Sequence, residues 1–349
     1  MTKILIFDAT LRDGSHAVKH QISKESIERY CQSMDGSGVH TIVVGHGNGL
    51  GASSLQVGLS LLNEREMLQT AKKNLRKTKL GAYMIPGFGT IKDNLIPAIE
   101  DGVDVFKIGT HCTEADVTRQ HIEFLRKHNK ETYGVLMMTH MASTEKLLTE
   151  CKKMQSYGAS GVILMDSAGA YTPEMVKKNI GTLYDCLDIR VGFHPHNNMG
   201  MAVANAYIAI SEGASIIDGT LRGFGAGAGN CQIEDLIALL IKSNIKTSVD
   251  FYKILDTSQT IMPNIMPKDM GQDPLSIVSG QCGVFSAFKI HVMKAAKQFN
   301  VDPRDIMVEL GKRKAVGGQE DLIIEIAKQL SNPLGFGDNN SDYQIESLL

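Results

Sequence analysis

Several features that would assign a class at once are missing from these 349 residues. No apolar run approaches the ~18 residues that a bilayer-spanning helix needs, which argues against a membrane protein. Lysine and arginine (36) nearly balance aspartate and glutamate (38), with no basic stripe and no acidic tail. A nucleic-acid partner is therefore not expected. The six cysteines (Cys31, Cys112, Cys151, Cys186, Cys231 and Cys282) contain no C-x-x-C pair. Their dispersal fits reduced thiols in a cytoplasmic protein better than a disulfide or zinc framework. Met1-Thr2-Lys3, followed directly by a short apolar run, is too short for a signal peptide. A Rossmann glycine fingerprint is also absent after that run, where Leu11-Arg12-Asp13-Gly14 stands instead.

What is present is an alternation. Short β-like runs recur at 4–7, 41–45, 80–85, 103–108, 133–138, 161–165, 190–193 and 215–217. Amphipathic helical stretches lie between them, for example 23–35, 63–75, 144–157 and 173–184. Ser23 and Thr172-Pro173 supply helix-start signals. Strand–helix units of this kind imply parallel strands joined by right-handed crossovers. Their number and total length match a closed (β/α)8 TIM barrel, preferred here over a doubly wound open sheet. Strand signals stop near Lys268, and helices are expected around 283–299, 303–310 and 319–330. The chain thus divides into a catalytic barrel over 1–267 and a small helical C-terminal domain over 268–349.

Two strings carry the chemistry. Residues 8–16 read D-A-T-L-R-D-G-S-H, and His194 and His196 stand two apart in H-P-H-N. Alternate residues of an extended segment point to one side, so both imidazoles can reach one ion. With Asp13 they form a three-ligand set that leaves coordination positions open. Asp13 alone would read equally as a turn former before Gly14. Arg12 either neutralises a neighbouring carboxylate or stabilises an oxyanion on the substrate. His16 is either a general base or a solvated loop imidazole, as His20 is taken to be. Asn230 is a weaker fourth ligand or a holder of bound water. Residues 223–230, G-F-G-A-G-A-G-N, either bring backbone close to a ligand or simply connect to the helix beginning near Ile233. Asp13, His16, His46, His111, His140, Asp166, Ser167, His194 and His196 all follow strands, and so collect on the C-terminal face where barrel active sites are built. His46, His111 and His140 are read as hydrogen-bonded supports of the barrel mouth, and Cys112 as packing.

These residues resemble a known family. D-A-T-L-R-D-G-S-H (8–16), G-H-G-N-G-L (45–50), T-H-C-T-E-A-D-V (110–117), M-M-T-H-M (137–141), M-D-S-A-G-A (165–170), G-A-G-A-G-N (225–230) and V-G-G-Q-E-D (316–321) are similar, in order, to 4-hydroxy-2-oxovalerate aldolases. More distant relatives are HMG-CoA lyase and isopropylmalate synthase. The resemblance implies a class II retro-aldol cleavage of a 4-hydroxy-2-oxo acid to pyruvate and an aldehyde. It implies a divalent cation, commonly Mn2+ with Mg2+ or Co2+ as alternatives, held by Asp13, His194 and His196. Arg12 would then stabilise the pyruvate enolate and contact substrate with Ser167, and His16 would take the 4-hydroxyl proton. An acylating aldehyde dehydrogenase partner, docked on the helical domain, and an oligomeric assembly are also implied. Three positions depart from the family pattern: Val43 replaces a glutamate, Asn48 an aspartate, and Phe285 a tyrosine that reaches the site. The alternatives are a transferase of the same superfamily condensing an acyl-CoA with a 2-oxo acid, and a weakly active paralogue serving as a scaffold for a dehydrogenase.

Overall fold

The computed structural model describes residues 3–331. Eight parallel strands close into a barrel in chain order: β1 (Leu5–Asp8), β2 (Thr41–Val43), β3 (Lys79–Met84), β4 (Val105–His111), β5 (Glu131–Met137), β6 (Gly161–Asp166), β7 (Arg190–Pro195) and β8 (Ile216–Gly219). Closure is made by β1 against β8, with Leu5 opposite Ile216 and Asp8 opposite Gly219. Each expected strand is present, displaced at its ends by at most a few residues.

Strand parity sets two cores. Leu5, Phe7, Val43, Tyr83, Val105, Tyr133, Val135, Ile163, Met165 and Ile216 form a buried cluster of their own, the filling of the barrel. Residues of opposite parity, such as Ile6, Ile42, Leu80, Phe106, Leu136 and Leu164, pack under the surrounding helices. The helices begin where their caps dictate. Ser23 Oγ accepts from Ser26 N–H at 3.1 Å ahead of Lys24–Met34. Asn63 and Glu66 form a reciprocal capping box at Glu64–Asn74, and Thr172 caps Pro173–Cys186 with proline in its first turn.

Beyond the barrel, helices Pro274–Cys282, Lys289–Phe299, Pro303–Lys312 and Asp321–Ser331 enclose a separate core that includes Leu275, Phe288, Val292, Ile306 and Ile323. Two helices were not anticipated. Phe251–Thr260, capped by Asp250, fastens to Lys24–Met34 through Ser33 and Thr257, whose hydroxyl oxygens lie 2.7 Å apart. Pro274–Cys282 is announced by Asp273-Pro274, the cap and first-turn pair. All six cysteines are free. Among the described residues no helix is long and apolar enough to cross a membrane. The expected helical domain extends to 349, and residues 332–349 lie outside the described part.

Candidate metal centre and active site

A short 3-10 helix, Asp13–Val18, leaves the end of β1 and presents Asp13 and His16 at the barrel mouth. His194 ends the inward face of β7, and His196 follows, bridged to Asn230 across the glycine-rich segment. The ligand atoms of Asp13, His194 and His196 all lie within 4.8 Å of one another, and all three residues are buried.

The surroundings suit a cation. His194 Nδ1 donates to Asp218 Oδ2 at 2.8 Å, which leaves its Nε2 as a lone pair facing Asp13 Oδ2 at 3.5 Å. Asn230 Nδ2 donates to that Nε2 at 2.9 Å, and Asn230 Oδ1 is buried with no partner among the described residues. Exchanging the amide's O and N would aim an oxygen at the same point, an assignment that hydrogen bonding alone decides. His196 Nδ1 is likewise buried, with no partner among the described residues. Burial pushes the Asp13 carboxyl up, but the adjoining Arg12 guanidinium holds it well below the usual carboxylate range. His196 is depressed by burial to about 4, so it is neutral near pH 7. One anionic oxygen, two imidazole nitrogens and the Asn230 amide form a donor set that fits a divalent ion.

Arg12 borders this set. Its Nη1 pairs with Asp13 Oδ2 at 2.7 Å and donates to Gly47 O at 3.2 Å, and its guanidinium lies over the Tyr83 ring, 4.8 Å from the centroid. Nε and Nη2 are buried and have no partner among the described residues. His16 is half-buried beside Gly47, where an added Cβ would sit 2.3 Å from His16 Nε2. Its pKa falls below the ordinary histidine value, chiefly through burial, with the Asp13 charge opposing.

His20 is not a solvated loop imidazole. It is only 8% exposed and stacks on His46 at 3.6 Å between centroids. His20 Nε2 donates to Val57 O and His46 Nε2 to Gly58 O, each at 3.1 Å, while Nδ1 of each accepts a backbone N–H. The pair supports the Gly47 loop on which Arg12 and His16 rest. His111 meets Thr113 Oγ1 at 2.9 Å, and His140 Nε2 meets Gly283 O at 2.9 Å. Ser167 Oγ accepts from Met138 N–H at 3.0 Å. Asp166 accepts the Ala170 and Tyr171 N–H groups at the turn after β6, and burial raises it to about 6.

The glycine-rich segment does bring backbone to the site. Ala226 N–H donates to Asp13 Oδ1 at 3.0 Å, and a Cβ on Gly225 would lie 1.7 Å from Asn230 Oδ1. Three contributors went unnoticed in the sequence: Tyr83 under Arg12, and the buried pair Lys107 and Asp218 behind His194. Their one available signal was a polar or charged residue inside an otherwise apolar strand. Of the departing positions, Val43 lies in the apolar barrel filling and Asn48 N–H donates to His46 Nδ1 at 3.0 Å. Phe285 packs edge-on against Phe288, with ring centroids 5.8 Å apart.

Comparison with known proteins places this geometry. Residues 3–261 match the HMGL-like family, and residues 270–332 match the DmpG-like communication domain. A 4-hydroxy-2-oxovalerate aldolase of Pectobacterium atrosepticum is 53% identical over 329 residues, covering 94% of this chain and 96% of that protein. The chain belongs to the 4-hydroxy-2-oxovalerate aldolase family. A second aldolase of that name, from Spirochaeta aurantia, is 48% identical over 332 residues, 94% of this chain and 96% of its own. Among solved structures, the N-terminal domain of a putative aldolase from Bacteroides vulgatus shares the fold with TM-score 0.72 and 23% identity, over 85% of this aldolase-family chain and 98% of that one. The carboxyl transferase domain of Rhizobium etli pyruvate carboxylase shares it with TM-score 0.79 and 13% identity, covering 96% of this chain and 61% of that chain.

Proposed function

We propose that this protein is a divalent-metal-dependent aldolase that cleaves a 4-hydroxy-2-oxo acid, such as 4-hydroxy-2-oxopentanoate, to pyruvate and an aldehyde. One observation carries the reading: Asp13, His194 and His196 converge beside a buried Arg12 whose Nε and Nη2 have no partner among the described residues. Asp13, His194 and His196 would hold the ion, with Asn230 in support. A bound Mn2+, Mg2+ or Co2+ would act as a Lewis acid on the 2-oxo group.

The protein's own groups account for the rest. His16, neutral near pH 7, takes the 4-hydroxyl proton as the C3–C4 bond breaks and the aldehyde forms. The electron pair left on C3 delocalises toward the former 2-oxo oxygen, where the free N–H groups of Arg12 offset the developing negative charge. Return of that proton from His16 to C3, directly or through water, then completes pyruvate and restores the base. Ser167, whose oxygen is engaged by Met138, offers its hydroxyl proton to the substrate.

The reading also takes 1–267 as the catalytic unit in a cytoplasmic enzyme and 268–349 as the docking unit. An acylating aldehyde dehydrogenase is its proposed partner. The communication-domain match supports that role, as do the exposed Ile290, Met293 and Ile324 on the outer helices.

Coupling the reaction to lactate dehydrogenase and NADH tests the proposal. With Mn2+ added, 4-hydroxy-2-oxopentanoate should yield pyruvate, and EDTA should abolish the signal. Failure with a panel of 4-hydroxy-2-oxo acids overturns it. Release of free thiol from an acyl-CoA and a 2-oxo acid would favour the condensing transferase instead.

A further inference from the structure

The group with most chemistry and no assigned role is Lys107. It lies on β4 between Phe106 and Ile108, and at 1% exposure its side chain turns into the barrel. β4 and β8 stand opposite one another in the closed barrel, so Lys107 crosses the interior to reach Asp218, itself fully buried. Its ammonium ends 5.3 Å from the Phe7 ring centroid and bonds Asp218 Oδ2. The same oxygen accepts the His194 Nδ1 proton. Asp218 Oδ1 is buried and has no partner among the described residues. The carboxylate is therefore held through Oδ2 alone, and among the described residues the ammonium is that oxygen's one partner besides His194.

Stability does not account for the pair. Buried ion pairs can often be replaced by apolar residues of similar volume at little or no cost, and most of this barrel filling is apolar already. An apolar pair has no acceptor for His194. With its proton kept on Nδ1, His194 presents a lone pair at Nε2, on the side of Asp13 and Asn230. Carboxylate partners behind metal-binding histidines commonly set tautomer and ring direction in this way.

We propose that Lys107 is a positioning residue, anchoring Asp218 Oδ2 so that His194 is held in the tautomer and orientation that bind the cation. This rests on the metal-centre reading above. Titration calorimetry of the full-length protein with MnCl2 provides the test, alongside 15N chemical shifts of His194. Lys107→Met should bind Mn2+ about 10–100-fold more weakly, with His194 losing its defined Nδ1–H state. Lys107→Arg should retain most of the affinity. In the double variant K107M/D218N, the amide oxygen introduced at position 218 accepts the imidazole proton without needing an ammonium, so affinity should recover.

Wild-type affinity in K107M overturns the inference, as does a double variant no better than K107M, because lost packing would then explain both. Should K107M fail to fold, D218N compared with K107M/D218N decides. Equal affinity supports a role exerted only through the carboxylate, whereas a further loss on removing Lys107 overturns it. A wild-type protein that binds no Mn2+ would instead defeat the metal-centre reading, and the inference with it.

Discussion

A buried guanidinium with two unbonded nitrogens is costly unless a ligand arrives to use them. That makes Arg12 the sharpest single-residue test. Arg12→Lys keeps a positive charge near Asp13 but loses the planar fork that can hold Gly47 O and a substrate oxygen together. Its kcat for pyruvate release should fall by about 10²–10³, the usual effect of losing one oxyanion donor. Mn2+ affinity should change little, and steady-state kinetics beside calorimetry would separate the two. A rise in KM with kcat unchanged would show that Arg12 only binds the ground state. Arg12, Asp13 and His16 were legible because they crowd into one string, and His194 and His196 because alternate strand residues share a side. Lys107 and Asp218 were not, since nothing in V-F-K-I or I-I-D-G tells which way a strand residue points before the barrel register is known. His20 was misread for a related reason: its partner His46 comes from a different strand loop.

Among the elements, the segment 223–230 shows how a loop can be built around a site. Sequence left two readings open, a ligand-facing loop or a plain connection. Contact of Ala226 N–H with Asp13 and the close approach of Gly225 to Asn230 favour the first. Gly225→Ala places a methyl group 1.7 Å from Asn230 Oδ1, so the amide must leave the site or the loop must lift off Asp13. Mn2+ affinity and activity should each fall roughly tenfold or more, while the far-UV circular dichroism of the barrel stays unchanged. Wild-type Mn2+ affinity in that variant would mean that Asn230 has no part in the centre. The strands were legible as elements because each is a short apolar run bounded by polar turns, and their ends were less so. β4 and β7 each run on past their expected ends, at Ile108 and Phe193, to carry His111 and His194. Phe251–Thr260 escaped notice because it comes after the last strand, where the alternation no longer announces a helix.

Taken whole, the molecule keeps several imidazoles neutral inside its fold, and this sets its response to acid. Burial, then the charges of His16 and His46, brings His20 down to about 3. Burial and the charge of His16 bring His46 to about 4. Both titrate near 6.5 when unfolded, so between these values the unfolded chain binds the extra protons. The pair's contribution to stability is complete above pH 6.5 and is lost as pH falls toward 4, at about 1.4 kcal/mol per pH unit for each proton. Urea unfolding from pH 4.5 to 7 should show this slope, and His46→Gln should make it shallower. An identical slope in the variant would remove His46 from the account.

The apolar filling of the barrel, from Leu5 and Ile216 up to Phe7, Tyr83 and Met165, has a consequence for traffic. It makes the barrel a stoppered vessel rather than a pipe, with its reactive groups set above the stopper. Substrate, both fragments and any water that replaces them must then pass by the barrel mouth and not through its floor. The order in which the fragments leave becomes part of the kinetics. The segment around Ser286, whose N–H donates to Ser167 O at 3.3 Å and whose side chain lies beside Gly227, borders that mouth and is placed to affect turnover without touching the chemistry.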